Sequence, residues 1–213
     1  IPLGTISAVK QDTWIDYAVR TFSIAGIAMP SFWLGILIIL GLLIGTQAWF
    51  GEPWMPPIQY VPLWVDPQYN LTMLIWPALA TGYRYAAVAT RMTRSALLEV
   101  LREDYVRTAR AKGLGERTVI LVHALRNAMI PVATSLGFSL AGIAFTSFIV
   151  ERFFGIPGIG NLFIESIFAR DFPIINAVII IGTTLFVMAN LLVDLIYPVL
   201  DPRIRLGGSY AAQ

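Results

Sequence analysis

Residues able to carry out chemistry are few in this chain. It contains one histidine, His123, and no cysteine, so disulfides, thiolate metal sites and iron–sulfur clusters are excluded. It lacks the Gly-x-x-x-x-Gly-Lys-Ser/Thr pattern that cradles nucleotide phosphates, and the His-Glu-x-x-His and Gly-x-Ser-x-Gly patterns of hydrolytic enzymes. A membrane enzyme is therefore disfavoured, and the chain does not hold ATP through a phosphate-binding loop.

The densest set of charged residues is a short basic segment between residues 94 and 126. Residues 103–112 are helix formers with acids first and bases last, an order that complements the helix dipole. Gly113 stands where a left-handed C-terminal cap would end that helix. A second short helix is predicted over 116–125, which makes the segment a helix–turn–helix. Its small residues, Ala109 and Ala111, would let a partner pack closely.

Composition indicates that lipid surrounds the elements that carry this segment. The chain is 57% hydrophobic and 13% charged, whereas soluble domains are about 45–50% apolar and about 25% charged. The net charge of +2 gives no general attraction to nucleic acid. Membrane-spanning segments must be helices or closed barrels, and the alternating pattern of barrel strands is absent. We therefore predict an all-α, polytopic bundle of transmembrane helices.

Four stretches have the roughly 20 apolar residues that a span requires. They are residues 22–48, 71–92, 128–150 and 174–199, and the second helix is expected to continue to Leu101. Away from their ends, the charged residues in these stretches are Arg84 and Asp194; Arg91 lies next to the end of the second. Arg84 lies about 20 Å into its span, where a charge facing lipid is costly. It is a candidate pore-lining residue, and the alternative is that it snorkels towards the headgroups.

The distribution of Lys and Arg predicts the orientation. The loop 46–70 has neither, and the loop 151–172 has only two, so both are expected outside the cell. The N-terminal stub, the segment 94–126 and the C-terminal tail are basic, so both ends of the chain are expected in the cytoplasm. Some arginines of the segment are also candidates for lipid contacts. Trp49, Phe50, Trp54 and Trp64 are interpreted as interfacial anchors.

Two runs in the central segment resemble a known signature. They are Tyr105-Val106-Arg107-Thr108-Ala109-Arg110-Ala111-Lys112-Gly113-Leu114 and His123-Ala124-Leu125-Arg126-Asn127-Ala128. Both are similar to the cytoplasmic signature of the dipeptide/oligopeptide/nickel permeases, which are membrane subunits of ATP-binding-cassette importers. The resemblance extends over residues 1–213 and implies a type I importer permease fold. It also implies that the N-terminal spans are missing from this chain, and residues 1–9 are interpreted as the end of a hydrophobic helix.

The resemblance implies a role and a set of partners. A second, homologous permease and two ABC ATPase subunits would complete the transporter, with ATP and Mg bound by the ATPases and no cofactor in this chain. An extracytoplasmic binding protein would deliver peptides, although nickel chelates, glutathione and other small solutes remain open. The location would be the bacterial inner membrane. The residues that would couple to the ATPases are Asp104, Tyr105, Arg107, Ala109, Arg110, Ala111, Lys112, Gly113 and Leu114.

Plainer interpretations of the same residues stay open. Gly113 can be a helix stop without a coupling role, and His123 a packed or capping residue rather than a pH switch. An ion-coupled secondary transporter is the alternative function. It would require ion sites at the membrane midplane on broken helices. The second span contains Pro77 and Gly82 but no acid.

Overall fold

The computed structural model describes residues 1–146 and 148–200, which form helices and no β-strand. The helices are α1 (Pro2–Val9), α2 (Trp14–Ala28), α3 (Ser31–Phe50), α4 (Pro67–Val100), α5 (Asp104–Ala111), α6 (Glu116–Thr118), α7 (Leu125–Thr146), α8 (Phe148–Phe154), α9 (Ile159–Ala169) and α10 (Phe172–Leu200). A π-helical segment, Val119–Ala124, joins α6 to α7. The all-α prediction is confirmed. The side chain of Asp194 lies outside the described part of the molecule.

Three helical stretches in the described residues are long and apolar enough to cross a membrane. They are Ser31–Phe50, Glu116–Gly137 and Phe172–Leu192. The predicted second span, 71–92, lies inside the 34-residue helix α4, but α4 is less apolar than these three. Arg84 and its neighbours Tyr83 and Tyr85 dilute its hydrophobicity.

The first predicted span, 22–48, is not one helix. Helix α2 ends at Ala28 and α3 begins at Ser31, with Pro30 in an extended conformation (φ −62°, ψ 137°) between them. Proline has no N–H to donate and its ring clashes with the preceding turn, and it also disfavours the helical conformation of the residue before it. The apolar run therefore continues across a break in the backbone hydrogen bonds.

The predicted short helix over 116–125 does not stop before the next span. Helix α6, the π-helical segment and α7 follow one another without a break from Glu116 to Thr146. The N–H of Leu125 donates to the carbonyl of Ile120, five residues back, which is the bonding pattern of a π-helix. Pro131 lies inside α7.

One compact unit contains residues 1–20, 89–141 and 184–200 of the described chain. Its core joins α1, the end of α4, α5 and the helical stretch that starts at Glu116. The buried residues of this core are Ala8, Ala96, Leu97, Val106, Ala109, Val119, Ala124, Ala128 and Val132. The core therefore holds the predicted coupling segment, residues 94–126, against the elements that precede and follow it in the sequence.

The second unit contains residues 21–88 and 142–183. Here α3 packs against α8, and α8 against α9. The rings of Phe32 and Phe153 are stacked with centroids 6.2 Å apart, and the hydroxyl of Tyr83 donates to the carbonyl of Phe22 at 2.8 Å. Gly155 adopts a positive φ of 62°, and a Cβ there would lie 2.6 Å from the side chain of Ile58. The two helices α8 and α9 form a hairpin at this glycine.

Candidate coupling segment

Helix α5 has one buried face and one exposed face. Val106 and Ala109 are buried, with 0% and 9% of their surface exposed, because both lie on the face that packs into the core of the first unit. Arg107 lies on the opposite face, and its side chain is 76% exposed. The expectation that Ala109 is open to a partner is therefore wrong, since it follows Val106 by three residues on the same helix face. Ala111 is exposed, as expected.

The end of α5 is fixed by a Schellman motif. The N–H of Gly113 donates to the carbonyl of Arg110 at 2.9 Å, and the N–H of Leu114 donates to the carbonyl of Ala109 at 3.4 Å. Gly113 has a φ of 77°, so the predicted left-handed cap is confirmed. A Cβ on Gly113 would meet nothing within 4 Å. Glycine is therefore required here by the backbone angle, and the space beside it is open.

Two polar contacts orient α5 against the helical stretch that follows. The guanidinium of Arg110 donates to both carboxylate oxygens of Glu116, at 2.8 and 3.2 Å. This pairing raises the pKa of Arg110. Near the other end of α5, the amide of Asn127 donates to the Tyr105 hydroxyl at 2.7 Å. The helical stretch that follows therefore contacts α5 near both ends of α5. The exposed ion pair by itself adds little stability.

One residue counted among the positive charges of the segment is neutralised inside the protein. Arg94 donates from Nε and Nη2 to the two carboxylate oxygens of Asp16, each at 2.8 Å. The Ser7 hydroxyl and the Asp12 N–H also donate to that carboxylate, and Asp16 is fully buried. The hydrogen bond from Arg94 is the main reason that the pKa of Asp16 lies well below its usual range. Nothing in a single sequence indicates this pairing, because the partners are 78 positions apart.

The sequence matches the model of one protein family over residues 1–206. That family is described as the binding-protein-dependent transport system inner membrane component. The chain belongs to this family. The family predicted from the central segment is thereby confirmed, and with it a multi-pass protein of the inner membrane.

Several relatives of this family member carry names of peptide permeases. The chain is 41% identical to the dipeptide transport system permease protein DppB of Haemophilus influenzae, over 96% of this chain and 66% of that protein. It is 38% identical to DppB of Bacillus subtilis, over 96% of this chain and 62% of the relative. It is also 38% identical to the oligopeptide transport system permease protein AppB of the same organism, over 96% and 64%. The chain thus spans just under two thirds of the length of these relatives.

Arg84 is exposed on α4 of this permease-family chain. Among the described residues, none forms a hydrogen bond or an ion pair with its guanidinium. The second unit contains a groove of about 470 Å³ beside α4, and Arg84 is not among its described lining residues. That groove is lined by Leu74, Pro77, Ala78, Thr81, Gly82, Tyr85, Val150, Glu151 and Ile156. The groove and Arg84 are therefore separate features of α4.

The α8–α9 hairpin of the second unit is held by Glu151. Its Oε2 accepts the N–H groups of Gly160 and Asn161, at 2.9 and 3.2 Å, at the start of α9. Next to it, Arg152 donates to the carboxylate of Glu165 at 3.2 Å. The sequence alone gives no role to Glu151, which lies on α8 and precedes the start of α9 by eight residues. A carboxylate before a short helix is a weak signal for an N-terminal cap.

Proposed function

We propose that this chain is a permease subunit of an ATP-driven importer of di- or oligopeptides. Its family and the names of its relatives support a peptide transport system. A second permease completes the translocation pathway, two ABC ATPases bind ATP and Mg, and an external binding protein delivers the peptide. The chain itself performs no catalysis.

The observation that carries this proposal is the construction of α5. A short helix with a polar, exposed face is joined by its buried face to the core of the first unit and is stopped by Gly113. Such a helix fits a surface groove on a partner subunit and transmits the partner's movement to the core behind it. Closure of the ATPases on ATP then moves the permease as a rigid body between its inward-facing and outward-facing states.

The residues that contact the ATPase are the exposed members of the predicted set. They are Asp104, Tyr105, Arg107, Arg110, Ala111, Lys112, Gly113 and Leu114. Ala109 contributes by positioning α5 from beneath. For Arg84 we propose a place along the peptide pathway, because an exposed charge deep in a span requires water or an opposite charge from another subunit.

The test uses the full assembly in proteoliposomes, with binding protein and a mixture of dipeptides. Arg107→Glu reverses a charge on the exposed face of α5, and Arg117→Glu makes the same change at an exposed position on α6. We expect Arg107→Glu to lower peptide-stimulated ATP hydrolysis and uptake by about tenfold, since a charge-assisted contact contributes about 1.5–3 kcal/mol. The Arg117→Glu control should retain both activities.

If Arg107→Glu and Arg117→Glu change ATP hydrolysis and uptake to the same extent, the coupling contact does not lie on the exposed face of α5. Uptake that follows an imposed ion gradient, in an assembly without ATPase subunits, would instead support a secondary transporter.

A further inference from the structure

The buried pair of Asp16 and Arg94 lies outside the exposed coupling face and has no role in the proposed contact with the ATPases. It connects an elbow, defined as residues 2–16 and formed by α1 and the start of α2, to the end of α4. The pair is bidentate, with two distances of 2.8 Å, and the Asp16 carboxylate accepts further hydrogen bonds from Ser7 and from the backbone of Asp12. All four residues belong to the first unit.

Close backbone packing accompanies the ion pair. A Cβ on Gly4 of α1 would lie 2.5 Å from the carbonyl oxygen of Thr90 and 2.7 Å from the Cβ of Thr93. Real Cβ atoms do not approach other heavy atoms this closely, so only glycine permits α1 to lie against α4 at this distance. The elbow is therefore held against α4 by close backbone packing at Gly4 as well as by the ion pair.

The same end of α4 supports the coupling helix. Leu97, one turn after Arg94, is fully buried in a core that also contains Ala8 of the elbow and Val106 and Ala109 of α5. Side chains in a close-packed core shift together. A displacement of α5 is therefore passed to the end of α4, and from there to the elbow through Arg94.

We propose that Asp16 and Arg94 are positioning residues that make the elbow and the coupling segment one rigid body during the transport cycle. This inference rests on the proposed function, because it concerns how a movement of α5 reaches the transmembrane helices. Residues 17–20 of α2 directly follow the elbow and belong to the same unit, so this first part of α2 moves with α5 rather than following it through a flexible link. A bidentate pair fixes the angle between the two elements as well as their distance.

A distance measurement tests the rigid link directly. The chain contains no cysteine, so spin labels are placed at Lys10→Cys in the elbow and Thr118→Cys on α6, both exposed, in an assembly whose partner subunits have no reactive cysteine. We expect one narrow distance distribution that is the same with and without ATP. A native distance that changes between the two nucleotide states would overturn the inference.

The second measurement separates positioning from stability. Arg94→Lys keeps the charge but loses the planar fork that holds both carboxylate oxygens, and Arg91→Lys makes the same change at an exposed position on α4. In the Arg94 variant we expect a broadened distance distribution and about a fivefold fall in peptide delivered per ATP hydrolysed. The Arg91 variant should match the native chain in both. Ser7→Ala, which removes a single hydrogen bond to Asp16, replaces Arg94→Lys if that variant does not assemble.

Two results distinguish failure of this inference from failure of the proposed function. The Arg94→Lys assembly could melt at a lower temperature and still keep the native distance and the native ratio of peptide to ATP. That result would contradict the positioning role and show that the pair of Asp16 and Arg94 only stabilises the protein. A native chain that associates with no ATPase would contradict the proposed function, and the distance measurement would still decide whether the link is rigid.

Discussion

At the level of single residues, the main feature is a buried charge with several partners. Asp16 is completely buried, and the side chain of Arg94 is 19% exposed. Removing two charges from water is costly, and the cost is recovered only when geometry and hydrogen bonding are good. The carboxylate of Asp16 meets that condition, because the Arg94 guanidinium, the Ser7 hydroxyl and a backbone N–H all donate to it.

Asp16→Asn is expected to destabilise the first unit by about 3 kcal/mol, because Arg94 is left as an uncompensated charge. The lowered pKa of Asp16 means that its stabilising effect is present at pH values above the ordinary aspartate pKa of about 3.9. The effect is lost as the pH falls further, through the lowered pKa. Thermal melting of the assembled protein should show a constant difference between native and variant from pH 8 to pH 5, and a smaller one below about pH 4. A difference that shrinks already near pH 6 would contradict this assignment.

Gly113 gives a second prediction at this level. Gly113→Ala is expected to cost about 1 kcal/mol, because a Cβ disfavours the left-handed conformation, whereas Gly113→Asn should cost less, since asparagine adopts it more readily. Chemical unfolding measures both. If transport per ATP falls in both variants alike, the open space beside Gly113 is occupied by a partner. If it falls only with alanine, the glycine acts as a helix stop.

At the level of elements, helix ends decide much of the architecture. Pro30 separates α2 from α3 within the first predicted span, Gly113 stops α5, and the Glu151 carboxylate accepts the N–H groups that start α9. Each device satisfies or removes backbone groups that a helix end leaves without partners. The first turn of α9 therefore depends on a side chain from α8.

Glu151→Ala should loosen the start of α9, because two backbone N–H groups lose their acceptor; loss of an N-terminal cap costs about 1 kcal/mol. Hydrogen exchange of a peptide covering residues 156–169 should become faster, while exchange in α5 stays unchanged. Glu165→Ala serves as the control, since it removes a nearby exposed carboxylate that accepts from Arg152 but not from the α9 backbone. Equal acceleration in both variants would contradict the capping role.

At the level of the whole molecule, the distribution of positive charge predicts which face each loop occupies. Single cysteines are introduced at Glu52 in the loop 46–70 and at Arg102 in the segment 94–126, since the chain has no cysteine of its own. A membrane-impermeant thiol reagent should label the first in intact cells and the second only after the membrane is opened. Labelling of both from outside would contradict the predicted orientation.

The class of the molecule and several of its local features follow from neighbouring residues. Long apolar runs require helices in lipid, and the stop at Gly113 follows from neighbouring residues, so both could be predicted. The break at Pro30 also follows from a local feature, the proline itself. The uninterrupted hydrophobicity of residues 22–48 nevertheless favoured the prediction of a single span.

Contacts between distant segments determine which face of α5 is buried and which charges are neutralised. Ala109 belongs to the same buried core as Leu97 and Val119. Arg94 is not a free charge, because it pairs with Asp16, which lies 78 positions away in the sequence. Local propensity carries no information about such pairs. Such pairs form when close packing brings distant segments together. The pair of Asp16 and Arg94 is of this kind, and it joins the elbow to the end of α4.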